Sequence, residues 1–170
     1  MGALELDVRR RIYSIIQESP GLHFRELQRM LDMPVGQLEH HLRFLEKQDM
    51  VNAKEDRYYL RYFPSKMDAR ETRIMASLRQ EKPRRIVVYL LEHPRTSHKE
   101  LMVHLDVRPS TMSFYLKDLV EKGVISKEKQ GRENLYWVED EKRVIELLLS
   151  YRRSFLDKLV DRFLEVWLES

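Results

Sequence analysis

Residues 97–125, SHKELMVHLDVRPSTMSFYLKDLVEKGVI, contain the pattern from which the fold can be predicted. They align without a gap on residues 23–51, HFRELQRMLDMPVGQLEHHLRFLEKQDMV, at a constant offset of 74 positions. Extended towards the N-terminus, the alignment joins residues 10–51 to residues 84–125 with eleven identities in 42 positions. Most other apolar positions are apolar in both copies, so the sequence predicts one small fold built twice.

Each copy is predicted to contain three helices. The first helix ends close to a proline in both copies, at Pro20 and at Pro94, and Ser97 is a candidate N-cap of a second helix. In the third helix, leucine and methionine recur at spacings of 4 and 3, which predicts one buried stripe. The first two helices cover about residues 4–18 and 23–31 in the first copy and about residues 83–92 and 97–105 in the second. The buried stripe of the third helix is Leu38, Leu42 and Leu45 in the first copy and Met112, Leu116 and Leu119 in the second.

After each third helix, the pattern changes to short strands. Residues 51–62 alternate and are predicted to turn near Glu55-Asp56. In the second copy, residues 124–129 and 134–138 flank a turn at Gln130-Gly131-Arg132, where glycine can adopt positive φ. A helix, a helix–turn–helix and a two-stranded hairpin, in this order, predict a winged-helix domain.

The predicted fold class is mostly α with small β-hairpin wings: two tandem winged helix–turn–helix domains plus a long C-terminal helix. The predicted parts are domain 1 at residues 1–64, a connecting helix at 65–82, domain 2 at 83–138 and a C-terminal amphipathic helix at 139–170. Apolar side chains at spacings of 3 and 4 predict that this last helix is continuous over about 45 Å. It is expected either to pack across both winged domains or to form a homodimer seam, and we favour the homodimer.

Composition excludes several classes of protein. The chain has 170 residues and no cysteine, so neither a disulfide nor a thiolate metal site is expected. The longest apolar run, Ile86 to Leu91, is far shorter than the roughly 20 residues of a membrane helix, and no basic-then-apolar leader opens the chain. A cytoplasmic protein with no membrane partner is therefore expected. Of the net charge of +3, residues 67–138 contribute +4, from 14 basic and 10 acidic side chains, and a polyanion is the natural partner there.

The stretches 34–51 and 109–125 resemble the helix–turn–helix of small prokaryotic winged-helix regulators of the broad ArsR/MarR group. QLEHHLRFLEK at 37–47 and TMSFYLKDLVEKGVI at 111–125 are similar to that group's third helix and its exit, and Gly131-Arg132 before LYW is similar to its wing. The doubled arrangement with a helical tail is most similar to archaeal tandem winged-helix regulators. The resemblance implies double-stranded DNA binding and control of transcription. Metal sensing is not implied, because the metal-sensing members use cysteine and histidine clusters.

A helix fits the major groove of B-DNA, and its N-terminal residues reach the base edges. The exposed face predicted for the second copy offers hydroxyl, aromatic and basic groups, and its wing offers three cations. The candidate DNA-binding residues there are Arg108, Ser110, Thr111, Ser113, Phe114 and Lys117 on the helix, and Lys127, Lys129 and Arg132 on the wing.

The first copy offers Gln37, His40 and Arg43 as candidate DNA contacts, but Glu39 lies among them and Glu55-Asp56 is expected at the wing tip. Two interpretations stay open: weaker and more selective DNA contact, or a module that contacts protein.

No catalytic motif is present, so no enzyme and no cofactor are expected. The histidines are expected on the surface or in a groove, because neighbours such as His40 and His41 point about 100° apart on a helix and do not easily share a metal. The main alternative to a DNA-binding regulator is a winged-helix protein–protein interaction scaffold in a transcription or chromosome-organising complex. RNA binding ranks below both, because few exposed aromatic side chains are expected for base stacking.

Overall fold

The helices of the first part of the chain follow from its buried apolar stripes. A computed structural model describes residues 2–170 and divides the chain into two units, the first ending at Ala76 and the second beginning at Ser77. The first unit contains α1 (Ala3–Glu18), α2 (Phe24–Leu31), α3 (Val35–Lys47), β1 (Val51–Asp56), β2 (Tyr59–Pro64) and most of α4 (Ala69–Leu78). Its core is formed by the predicted stripe of α3 with residues of α1 and α2: Ile12, Ile16, Leu27, Leu38, Leu42 and Leu45 are at most 2% exposed.

The second unit repeats this order and adds a helical tail. It contains α5 (Glu81–Glu92), β3 (Thr96–Ser97), α6 (His98–Leu105), α7 (Pro109–Glu121), β4 (Ile125–Gln130), β5 (Glu133–Val138), α8 (Glu141–Ser150), α9 (Arg152–Phe155) and α10 (Lys158–Glu169). The three strands form an antiparallel sheet in the order β3-β5-β4. In the first unit, a single bridge between His23 and Arg61 takes the place of the short strand β3. The predicted fold class, mostly α with two winged helix–turn–helix domains, is confirmed.

The backbone repeats more closely than the sequence does. The strands of the two hairpins are offset by 74 positions, as are α2 and α6, and α3 and α7. Four pairs of residues with positive φ have the same offset: Gly21 and Arg95, Asp32 and Asp106, Asp49 and Gly123, and Arg57 and Gly131. The repeat therefore continues through both hairpins, to Pro64 and Val138, beyond the stretch in which sequence similarity is visible.

The short second helices begin with the same capping arrangement. The Ser97 hydroxyl accepts a hydrogen bond from the Glu100 amide, and the Glu100 carboxylate accepts one from the Ser97 amide, which confirms Ser97 as the N-cap of α6. At the same position of the first unit, the ring Nδ1 of His23 accepts from the Glu26 amide at 3.3 Å. This cap was not predicted, because histidine is not among the residues usually preferred there.

The prediction of one continuous C-terminal helix is wrong. The helix stops at Tyr151 and again at Leu156, whose φ of 51° lies in the left-handed region. Asp157 then caps α10 by accepting from the Leu159 amide, and it also accepts from Arg84 Nε at 2.6 Å. The break lets α10 pack against α5 and α8. Four residues of the predicted stripe, Val144, Leu148, Phe155 and Phe163, are at most 8% exposed, and so are Val160 and Leu164 beside them, whereas Val166 is 62% exposed.

The turn predicted near Glu55-Asp56 falls two residues later, so the placement of this acidic pair at the tip of the first wing is wrong. Asp56 is the last residue of β1 and pairs with Tyr59, so the turn is Arg57-Tyr58. The Asp56 carboxylate is buried and accepts from Arg61 Nε at 2.9 Å, while Arg61 NH1 donates to the Gly21 carbonyl at 2.9 Å. The tip of the first wing is therefore not an acidic pair.

Candidate nucleic-acid interface

The position of α7 is set by the turn before it and by its buried face. Asp106 adopts the left-handed conformation that ends α6, and α7 begins at Pro109 after its N-cap Arg108. Met112, Leu116 and Leu119 are at most 2% exposed and anchor one face of α7 in the core. The opposite face is therefore presented outward, as the sequence predicted.

The predicted residues of the second unit lie on this outward face and on the adjoining hairpin. Arg108, Ser110, Ser113, Phe114 and Lys117 are exposed, and Thr111 is half-buried. Lys127 and Lys129 are exposed and share one face of β4, because side chains alternate along a strand. Arg132 is exposed in the turn beside Gly131. We call this set of nine residues the α7–wing surface.

Few contacts within the chain occupy the groups of the α7–wing surface. The Lys117 ammonium lies 4.0 Å from the Glu121 carboxylate, and both side chains are well exposed, so this ion pair stabilises the helix only weakly. The Phe114 ring is 45% exposed and meets Tyr115 edge to face at 5.3 Å. The Lys117 charge and much of the Phe114 ring therefore face solvent.

The sequence analysis did not predict two contacts made by residues beside the α7–wing surface. His98 Nε2 lies 3.0 Å from the Ser113 hydroxyl, so Ser113 shares its hydrogen-bonding capacity with α6. Arg95 donates to Glu128 at 2.9 Å and lies 5.2 Å from the Trp137 ring centre, at the base of the wing. No local pattern indicates the contact of His98 with Ser113, because the two residues meet only when α6 packs on α7.

The corresponding face of the first unit has a different character. Gln37, His40 and Arg43 are exposed on α3 as predicted, and Glu39 is exposed among them. His41, which was expected on the surface, is instead buried at 3% exposure.

The environment of His41 explains its burial. Its Nδ1 accepts from Arg9 Nε at 3.3 Å, and the Arg9 guanidinium lies 3.6 Å from the Phe44 ring centre. Burial, followed by the positive charge of Arg9, lowers the pKa of His41, so this histidine is a neutral structural residue.

The offset of 74 gives a direct comparison of charge between the two faces. The five cations of the α7–wing surface are Arg108, Lys117, Lys127, Lys129 and Arg132, and their counterparts are Pro34, Arg43, Ala53, Glu55 and Tyr58. Only one of the five positions keeps its positive charge in the first unit. The two units thus present unlike electrostatic surfaces on the same backbone.

Residues 2–170 contain no group of three or more histidine, cysteine, aspartate or glutamate side chains placed to hold a metal ion. Over the same residues, no helix has the length and apolar character needed to cross a membrane.

Two successive units of helix, helix–turn–helix and hairpin define a tandem winged helix–turn–helix protein. Residues 6–75 match a family model described as an N-terminal HTH domain, and residues 68–126 match one described as winged helix-turn-helix DNA-binding. Both successive parts of the chain are therefore similar to helix–turn–helix domains.

A curated relative supports this assignment. The chain is 34% identical over 134 residues to the uncharacterized HTH-type transcriptional regulator MJ1398 of Methanocaldococcus jannaschii, a match that covers 79% of this chain and 34% of the relative. The chain thus spans about a third of the length of that protein.

Among solved structures, HlyU from Vibrio cholerae is 21% identical, with a TM-score of 0.44 over 50% of this chain and 91% of that one. Rv0081 of M. tuberculosis is 27% identical, with a TM-score of 0.43 over 52% of this chain and 88% of that one.

Proposed function

We propose that this protein is a sequence-selective, double-stranded DNA-binding transcriptional regulator with no enzymatic activity, acting in the cytoplasm. The observation that supports this most directly is the α7–wing surface, where an outward helix face adjoins three exposed cations of one hairpin. The family match over residues 68–126 and the name of the Methanocaldococcus relative support the same function.

In the proposed complex, α7 lies in the major groove. Ser110, Thr111 and Ser113 would bond base edges or phosphates, and Phe114 would contact a thymine methyl group. Arg108 and Lys117, at the start and on the outer face of α7, would neutralise phosphates. Selectivity would come from the hydroxyl and aromatic contacts, because phosphate contacts do not distinguish sequences.

The wing of the second unit would hold the DNA backbone. Lys127 and Lys129 lie on the same face of β4, and Arg132 lies in the turn that follows, so the hairpin carries three exposed cations. These cations suit contacts with phosphates or with an adjacent minor groove.

The first unit would contribute less to DNA affinity. Gln37, His40 and Arg43 can reach DNA from α3, but Glu39 and Glu55 are exposed on the same unit and would repel phosphates. We therefore assign the first unit a weaker and more selective contact.

A gel-shift titration at several salt concentrations tests the proposal. Lys117→Ala and Arg132→Ala should each weaken binding to all duplexes and reduce the slope of log affinity against log salt by about 0.9, the value for one lost phosphate contact. Lys142→Ala is the matched control, because Lys142 is exposed on α8, outside the α7–wing surface. Unchanged affinity and slope in both variants would remove the second unit from the interface. No duplex binding at about 0.1 M salt would favour the scaffold alternative.

We also propose that the regulator is a homodimer, since a two-fold operator is bound by two copies. Val166, Trp167 and Leu168 near the end of α10 are 62%, 44% and 56% exposed and offer an apolar contact. Light scattering should give the mass of two chains, and Trp167→Glu should reduce it to one. Leu156→Glu, at an exposed apolar site outside α10, should leave it unchanged. A wild-type mass of one chain would contradict the homodimer.

A further inference from the structure

The first unit contains a groove between α3 and the second strand of its wing. It encloses about 250 Å³ and is lined by Phe24, Glu39, Leu42, Arg43, Glu46, Leu60 and Tyr62. The four residues from α3 lie on one face of that helix, at spacings of 3, 1 and 3, and the two from β2 lie on one face of the strand. We call this feature the α3–β2 groove.

Apolar and aromatic groups form the floor of the α3–β2 groove. Leu42 and Tyr62 belong to the core of the unit, and Phe24 packs against it as the first residue of α2. Leu60 is 40% exposed, so it contributes an apolar edge that faces solvent. A concave apolar surface with a few polar groups is the usual character of a small-molecule site.

Tyr62, Glu39 and Glu46 contribute polar groups to the groove. Tyr62 is only 4% exposed, and its hydroxyl is not a buried group left without a partner, because residues 2–170 contain no such side-chain atom. Over the same residues, neither Glu39 nor Glu46 has a basic group within 4.0 Å. Burial, and then the charges of Glu46 and Glu39, raise the pKa of Tyr62 to about 12, so its hydroxyl is protonated and lies in the field of both carboxylates.

The second unit keeps a buried tyrosine, Tyr136, at the position of Tyr62, but it shows that the fold does not need the two carboxylates. The counterpart of Glu39 is Ser113, whose hydroxyl is already bonded to His98, and the counterpart of Glu46 is Val120. The acidic character of the α3–β2 groove is therefore a property of the first unit alone. Its two carboxylates and the Arg43 guanidinium leave a net charge of −1, which favours a cation over an anion.

We propose that the α3–β2 groove binds a small organic cation that has an ammonium group on an apolar or aromatic body. The ammonium donates hydrogen bonds to the Glu39 and Glu46 carboxylates, and the Tyr62 hydroxyl is a further hydrogen-bonding group. The apolar body lies on Phe24, Leu42 and Leu60. The Phe24 and Tyr62 rings add attraction for the positive charge. This site shares Arg43 with the DNA contact proposed for the first unit, but the proposal does not depend on that contact.

Nuclear magnetic resonance titration of the full chain without DNA tests the proposal, with phenethylamine as the cationic probe and phenylacetate as its anionic counterpart. Phenethylamine should shift the signals of α3, β2 and the Tyr62 ring, and phenylacetate should not. The signals of α6 and α7 are an internal control, because the second unit lacks both carboxylates.

Two variants make the test specific. Glu46→Gln should weaken phenethylamine binding about tenfold, as expected for the loss of one charge-assisted hydrogen bond. Tyr62→Phe keeps the ring in the core and should also weaken binding. Glu18→Gln, at an exposed site at the end of α1, is the control and should bind as the wild type does. Equal shifts with both probes, no shift with phenethylamine, or unchanged affinity in Glu46→Gln would each overturn the proposal.

Discussion

Removing the carboxylate of Asp56 should destabilise the first unit severely. The Arg61 guanidinium is 3% exposed, and Asp56 is its anionic partner, with Nε and Oδ2 separated by 2.9 Å. In Asp56→Ala, the guanidinium stays buried and keeps its bond to the Gly21 carbonyl but loses its counter-charge. Loss of one partner of a buried ion pair costs about 3–5 kcal/mol, a large fraction of the roughly 5–15 kcal/mol that stabilises a domain.

A double-mutant cycle separates the ion pair from simple loss of packing. Arg61→Met should cost a similar amount, because it leaves the Asp56 carboxylate without its guanidinium and the Gly21 carbonyl without a donor. The double variant Asp56→Ala/Arg61→Met contains no uncompensated buried charge. Its main loss is the hydrogen bond to Gly21, about 1–3 kcal/mol. The double variant should therefore be more stable than either single variant.

Two experiments measure these changes in stability. One is amide hydrogen exchange across β1 and β2, and the other is urea unfolding followed by far-ultraviolet circular dichroism. Tryptophan fluorescence serves as a separate probe of the second unit, because both tryptophans, Trp137 and Trp167, belong to it. If the losses in the two single variants simply add in the double variant, or if Asp56→Ala costs less than about 1 kcal/mol, the buried ion pair does not stabilise the wing as we infer.

Three further predictions concern single residues. Leu156→Gly should stabilise the second unit by about 0.5–1 kcal/mol, because Leu156 has positive φ and is 94% exposed, so that glycine relieves backbone strain with little loss of packing. Thermal unfolding measures this gain in stability. The control, Leu156→Ala, should bring no such gain. Ser97→Ala removes the side-chain acceptor of the α6 capping box and should cost about 1 kcal/mol in urea unfolding, whereas Ser97→Asp should retain most of the stability. The pKa of His41 is lowered in the folded state, so its contribution to stability is complete above the unfolded pKa of about 6.5 and is lost as pH falls through the folded value. Urea midpoints at about pH 7.5 and about pH 5.5 should therefore differ less in His41→Gln than in the wild type, and an equal difference in both proteins would contradict the assignment.

The helices of both units were predictable because their signals are local. The stripe of Leu38, Leu42 and Leu45 is read from spacing alone, and the α6 cap is read from serine and glutamate three positions apart. The break at Leu156 was not predictable in this way. Apolar spacing continues through Tyr151, Phe155 and Leu159, while Arg84, which bonds Asp157 beside the break, lies 73 positions away.

The first wing shows the same limit. A turn was predicted near Glu55-Asp56, whereas Asp56 is held in the strand by Arg61 and the turn falls on Arg57, a non-glycine residue with positive φ. Placement of the α7–wing surface succeeded because the buried face of α7 determines its outward face. The contact of Ser113 with His98 could not be predicted, because it depends on how two helices pack.

The two units share a backbone but differ in their surfaces, and both facts have one physical explanation. The fold needs buried apolar side chains, helix caps and four positions of positive φ in each copy. Different residues satisfy these needs: glycine and aspartate share one such position, and glycine and arginine share two. Outward positions are not constrained in this way, so Lys129 of one unit can correspond to Glu55 of the other without any change in the hairpin. The tandem arrangement therefore joins a second unit that carries the main DNA-binding surface we propose to a first unit whose groove has a different chemistry.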